Sequence, residues 1–187
     1  GHTERPRNLP MSTVPFRQDS TFLYFTGCTL PGAAVFIEDG KSTLYLTPAA
    51  ADDALWHGPT QSIDELAAGL GFTHVQPIDT LEELGQNKSR IATLAVPDLA
   101  QTQRAARITK TSLVYGKNNG HDGLISAVIS MRRILSGAER DEIRATAMVT
   151  ESAHRAAMAA TAPGVHERVI AAKFQEVIHR EGLALAY

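Results

Sequence analysis

Asp39-Gly40 stands between two short apolar runs, Val35-Phe36-Ile37 and Leu44-Tyr45-Leu46. An Asp-Gly pair in that setting is a strong hairpin signal, because both residues tolerate the positive φ of a tight turn between antiparallel strands. Aromatic and β-branched residues, Phe22, Tyr24 and Phe36 among them, extend the strand-favouring pattern across Thr21 to Thr47. A hairpin this apolar needs cover, and the sequence that follows supplies helices.

Ser62 and Glu65 have capping-box spacing, lead into Leu66, Ala67 and Leu70, and are closed by Gly69 and Gly71. His74 to Pro77 then reads as a short strand and Thr80 to Leu84 as a short helix. Arg90 to Val96 and Ser112 to Tyr115 are further strand candidates. A hairpin followed by alternating helices and strands predicts a mixed α/β sheet layered with helices.

The turn-rich stretch Gly116-Lys-Asn-Asn-Gly120 ends that pattern, and helix dominates after it. Asp122 opens a helix through about Ile134. A second capping box, Ser136 with Glu139, opens a long one towards Ala160. Ile143, Ala147, Thr150, His154 and Ala157 recur along it at spacings of three and four, a stripe of mostly small residues. Pro163-Gly164 ends it. A third helix begins near Glu167, with Ile170, Phe174, Val177 and Ile178 on one face and Gly182 as its stop. The boundary falls near residue 121, giving domains over 1–121 and 122–187.

A chain of 187 residues with 43% hydrophobic content holds one full domain and part of a second. The formal net charge of −2 offers no basic excess for nucleic-acid phosphates. Cys28 is the single cysteine, which excludes an internal disulfide and suits a reducing compartment. No apolar stretch has bilayer-crossing length, and Gly1 to Arg7 is too polar for a signal peptide, so a cytoplasmic protein is expected. On that view the sequon Asn87-Lys88-Ser89 is chance. Opening on Gly1 rather than Met is expected of a processed chain or a fragment.

The search for chemistry returns almost nothing. The histidines are His2, His57, His74, His121, His154, His166 and His179, and no two share the i, i+4 spacing that puts two ligands on one helix face. His166-Glu167 begins a zinc-protease motif, but position 170 is Ile. Gly69-Leu-Gly71 lacks the third glycine of a dinucleotide loop, because His74 occupies its place. Gly116-Lys117 lacks the phosphate loop's first glycine, with Thr111 there, and its Ser or Thr, with Asn118 there. No Gly-x-Ser-x-Gly elbow occurs. Cys28 would need a placed histidine to act as a nucleophile, and the simpler role is a small buried hydrophobe. Asp52-Asp53, Glu82-Glu83 and Asp141-Glu142 are sequence neighbours whose side chains diverge, as solvated faces do. No catalytic and no metal-ligating residue can be named.

Two blocks nevertheless resemble the creatinase/aminopeptidase P family. Phe16-Arg-Gln-Asp-Ser-Thr-Phe-Leu-Tyr-Phe-Thr-Gly27, followed by Pro31, is similar to that family's early aromatic-Arg-Gln-(Asp/Asn)-Ser segment. Ala54-Leu-Trp-His-Gly58 resembles its acidic-x-Trp-x-Gly element, with Ala54 in place of the acid. Met131 to Arg144, continuing through Thr150-Glu-Ser-Ala-His154 to Ala162-Pro-Gly-Val-His-Glu167, resembles the opening two helices of the catalytic pita-bread domain, with Leu135 where Lys is commoner.

The resemblance implies a creatinase-type N-terminal domain, a ribonuclease-H-like mixed β-sheet flanked by helices, over 1–121. A linker helix and the first two helices of an incomplete pita-bread α+β domain follow over 122–187. It implies a parent metallopeptidase that releases the N-terminal residue from peptides with proline second. Two divalent ions, usually manganese, would be held by two Asp, one His and two Glu, all downstream of the equivalent of Tyr187. Paired cations about 3.5–4 Å apart can deprotonate a bridging water. This chain would then lack the ligands, be inactive alone, and serve oligomerisation, as dimer or tetramer, and substrate access. Trp56 matches the family tryptophan that reaches a neighbouring subunit's active site, where an aromatic face packs on proline. The plainer role for Trp56 is an anchor of the core or of an interface. A prolidase (Xaa-Pro dipeptidase) fragment and a non-catalytic creatinase-like protein-binding module are the alternatives.

Overall fold

The structure, a computed structural model, describes residues 1–9, 12–50, 52–88 and 90–185. It divides into two compact units, Gly1–Met131 and Arg132–Tyr187.

The hairpin forms at the expected place. Strands β3 (Ala34–Glu38) and β4 (Lys41–Leu46) pair antiparallel, with Glu38 opposite Lys41 and Ala34 opposite Tyr45. Ahead of them a short antiparallel ribbon joins β1 (Pro6–Leu9) to β2 (Ser12–Thr13). Asp39 and Gly40 turn the chain at φ 51° and 75°, both left-handed as a two-residue turn requires. Strand β5 (His74–Pro77) adds to the other side of β4 in parallel, Leu44 opposite Val75. The result is a mixed three-stranded sheet of order β3-β4-β5. A parallel partner requires a crossover, and α2 (Asp53–His57) with α3 (Ile63–Gly69) occupies it.

Alternation along β4 decides what covers each face. Leu44 and Leu46 point into a cluster with Phe22, Cys28, Ala33 and Ala67, roofed by Ile63, Leu66 and Leu70 of the α3 region. Tyr45 points the other way, onto Ile78, Leu81 and Ile108. Leu44 and Tyr45 are both buried, so β4 is covered on both faces. The second cover is a 3-10 turn (Ile78–Glu83), α4 (Leu84–Asn87) and α5 (Leu99–Thr109). Arg104 pins α5 to that turn through Glu82 Oε1 at 2.8 Å and Ile78 O at 2.9 Å.

Three expectations of strand fail. Residues 20–26 form α1 (Ser20–Thr26), not strand: Asp19 Oδ1 accepts from Phe22 N at 2.8 Å, and Gly27 ends the helix in the left-handed region. Two good caps outweigh the β preference of Phe22 and Tyr24. Arg90–Val96 and Ser112–Tyr115 contribute only the isolated bridges Leu94↔Gly120 and Val114↔Asn118. Helix α5 was not foreseen, although Asp98 caps it by accepting from Gln101 N at 3.1 Å.

Helix α6 (Asp122–Arg133) follows the break at 116–120 and runs to the division between the units. The second unit is a helical pair. The capping boxes foreseen at Ser62 and Ser136 both form, the latter opening α7 (Gly137–Ala159). His166 caps α8 (Glu167–Arg180). Their shared core is Ala153, Val177 and Ile178 with Val149, Ala156 and Phe174. The α8 face is the one foreseen, whereas the α7 face is not. Val149, Ala153 and Ala156 meet α8, while Ile143 and Ala147 of the expected stripe stay exposed and the exposed His154 reaches α8 through the Phe174 ring.

Candidate functional site

Helix α2 is one and a half turns long, too short to be stable by its own hydrogen bonds. Asp53 Oδ2 accepts from Ala50 N at 2.8 Å at its start, and Gly58 N donates to Ala54 O at its end. This brief helix presents two large apolar side chains to solvent. Leu55 is 83% exposed and Trp56 is 74% exposed. Trp56 belongs to none of the buried clusters, so the core-anchor role is absent here. Adjacent Leu55 and Trp56 thus place apolar surface in water on one short helix.

The Phe16–Gly27 block turns out to be structural. Gln18, only 4% exposed, accepts from His2 N at 2.5 Å and Asp19 N at 2.8 Å, and donates to Leu30 O at 2.7 Å. Asp19 caps α1. The pair therefore locks the N-terminal segment, the first helix and the loop before β3 into one piece, with every polar atom of the Gln18 amide used.

The remaining candidates do not converge. Cys28 is fully buried, and burial pushes its thiol above the ordinary value against an opposing hydrogen bond at Leu30. A thiol so placed is a core residue. His121 Nδ1 accepts from Thr93 N at 3.2 Å, and the His154 ring meets Phe174 edge-on at 5.0 Å. His2 Nε2 is buried without a hydrogen-bond partner and lies 4.0 Å from Asp19 Oδ2. Three acidic residues pair locally, Glu82 with Arg104, Asp141 with Arg144 and Glu151 with Arg155. An open groove along α7 between Glu151, His154, Arg155 and Met158 holds that last ion pair. Among the described residues no three His, Cys, Asp or Glu side chains gather where a metal ion could sit. None of the helices among the described residues is long and apolar enough to cross a membrane.

Sequence reasoning missed Asp98. It accepts from Thr3 N at 2.8 Å, from Thr3 Oγ1 and from Gln101 N at 3.1 Å, tying the N-terminal segment to the start of α5. The helix-start spacing Asp98-Leu-Ala-Gln101 was the available signal.

Comparison with known proteins gives this geometry a context. Residues 1–93 match the family profile "Aminopeptidase P, N-terminal domain". The chain is 31% identical over 168 residues to a probable Xaa-Pro aminopeptidase of Fusarium vanettenii, covering 87% of this chain and 35% of that protein. It is 24% identical over 194 residues to the human Xaa-Pro dipeptidase, covering 97% of this chain and 38% of that protein. The solved aminopeptidase PepP of Pseudomonas aeruginosa shares the mixed α/β fold with a TM-score of 0.78 at 21% identity, over 96% of this chain and 44% of the other. The chain thus spans little more than a third of the length of the curated relatives it matches. Over residues 1–93 the chain matches the aminopeptidase P N-terminal domain, and it belongs to the aminopeptidase P family.

Proposed function

We propose that this chain is the N-terminal part of a cytoplasmic, metal-dependent Xaa-Pro aminopeptidase that releases the first residue of peptides with proline second. The observation that carries this reading is the 31% identity to a probable Xaa-Pro aminopeptidase along 87% of the chain. Residues 1–121 serve as the creatinase-type domain, and 122–187 as the linker helix and first helices of a pita-bread catalytic domain. Two divalent ions, manganese for preference, are held by carboxylates and a histidine outside this chain, since hard oxygen ligands suit that ion. The chain alone is inactive and serves assembly and access: it forms homo-oligomers, and Trp56 reaches a neighbouring subunit's site to pack on the substrate proline. The exposure of Trp56 and Leu55 on a short, capped helix supports that role.

A second reading, Xaa-Pro dipeptidase, has one observation in its favour, the match to the human enzyme along 97% of the chain. The experiment that tests the proposal assays the 187-residue chain, and the gene product extended past Tyr187, on an Arg-Pro-Pro peptide with manganese. Cleavage at the first bond by the extended protein alone supports it. Cleavage of an Xaa-Pro dipeptide but not of the longer peptide favours the dipeptidase. No cleavage by either protein makes the fold a non-catalytic, partner-binding version.

A further inference from the structure

The turn ahead of α6 has no part in the proposed function, yet its geometry has a chemical consequence. Val114 N donates to Asn118 O at 2.9 Å and Asn118 N returns to Val114 O at 2.8 Å, which closes residues 115–117 into a tight loop. Ala95 N donates to Asn119 O at 2.9 Å, and His121 N donates to Thr93 O at 3.4 Å. Residues 119–121 are thereby strapped antiparallel to 93–95, with Leu94 opposite Gly120. The residues flanking Gly120 make those bonds, so its own N–H takes no part in the strap. A Cβ at Gly120 would lie 2.1 Å from Thr93 O, and the backbone there has φ +118°. The fold requires glycine at this position.

That required glycine leaves Asn119 open to attack from the following peptide nitrogen. Asn119 is solvent-exposed, so a released amine leaves into water. Its side-chain oxygen accepts from Gly116 N at 2.7 Å. A donor fixed on that oxygen stabilises the negative charge that develops there when the carbon becomes tetrahedral. The other asparagines, Asn8, Asn87 and Asn118, precede Leu9, Lys88 and Asn119, whose side chains crowd the attacking nitrogen.

We propose that Asn119-Gly120 is a self-modifying site that converts Asn119 to isoaspartate and aspartate through a succinimide. Base removes the Gly120 N–H proton, the nitrogen bonds Asn119 Cγ, and once the protonated base or water returns a proton to Nδ2 the Cγ–Nδ2 bond breaks with loss of ammonia. Water then opens the ring at either carbonyl and restores one carboxylate. Opening to aspartate keeps an acceptor for Gly116 N. Opening to isoaspartate routes the main chain through Cβ and turns the carbonyl that holds Ala95 N into a free carboxylate. The strap between 93–95 and 119–121 is then lost.

The test incubates the purified chain in warm, mildly alkaline buffer and maps its peptides by mass spectrometry over time. Amide-to-acid conversion at Asn119 should run at least about tenfold faster than at Asn8 and Asn87, a barrier lower by about 1.4 kcal/mol. Isoaspartate and aspartate should both appear at 119, and Asn119→Gln, which would need a six-membered ring, should show neither. In the isoaspartate fraction the Ala95 and His121 amides should exchange with solvent faster than in fresh protein. Conversion no faster than at Asn8 and Asn87, aspartate as the sole product, or unchanged exchange at Ala95 would each overturn the proposal.

Discussion

Asp98 shows how much one side chain can organise. Burial by itself would raise its carboxyl, but the bonds from Thr3 and Gln101 outweigh that and hold it below the ordinary aspartate value. A carboxyl with a depressed folded pKa stabilises the fold fully above the unfolded value of about 3.9, and that contribution is lost as pH falls through the folded pKa. Asp98→Ala should therefore cost about 1 kcal/mol in urea unfolding at neutral pH, the usual cost of a lost N-cap. The gap to the parent should narrow in acid; a gap that persists unchanged would contradict the assignment. Trp56 is the opposite case, a residue with little to do for the fold. Trp56→Ala should leave Tm unchanged and lower kcat/KM of the extended protein on Arg-Pro-Pro by about tenfold, or about 1.4 kcal/mol in the barrier. A drop in Tm with unaltered kcat/KM would make it structural.

At the scale of elements, the hairpin and its central strand bear the most weight. Leu44 is fully buried in the cluster with Phe22, Leu46 and Ala67, and Leu44→Ala should cost about 2–5 kcal/mol, as a core cavity does. Gly40→Val forces a β-branched residue into φ 75° and should cost about 1–2 kcal/mol without opening any cavity. A loss for Gly40→Val as large as for Leu44→Ala, measured by chemical denaturation, would contradict this ranking of core over turn. The legible parts of the sequence were those where local chemistry and tertiary need agree: the Asp39-Gly40 turn, the capping boxes at Ser62 and Ser136, and the strand His74–Pro77. Helix α1 was misread because aromatic residues favour strands in general, whereas the Asp19 and Gly27 caps act only in this place. Residues 90–96 and 112–115 have strand composition but find a partner for only one residue pair each. On α7, spacing alone could not tell the Ala147-His154 stripe from the Val149-Ala153 face, because both repeat at three and four residues and only packing against α8 chooses between them. Of the candidate site, the sequence offered Trp56 only through the resemblance of its neighbours, while the exposure of Trp56 and Leu55 and the reach of Asp98 to Thr3 depend on contacts that spacing does not encode.

For the molecule as a whole, the exposed apolar side chains of the helical unit are the informative feature. On the helical unit Ile143 is 55% exposed, Met148 66% and Met158 73%. Exposed apolar surface of this kind binds other apolar surface. The 187-residue chain alone should enhance the fluorescence of a hydrophobic dye and self-associate as its concentration rises, whereas the extended protein should do neither to the same degree. A monomeric chain that leaves the dye dark would show that these residues need no partner. The proposed activity is decided by proline dependence. We would measure kcat/KM of the extended, manganese-loaded protein on Arg-Pro-Pro and on the same peptide with alanine second. The account predicts release of arginine from the first at least about a hundredfold faster, a difference of about 2.7 kcal/mol in transition-state binding. Equal rates on the two peptides, or no release from either, would contradict it.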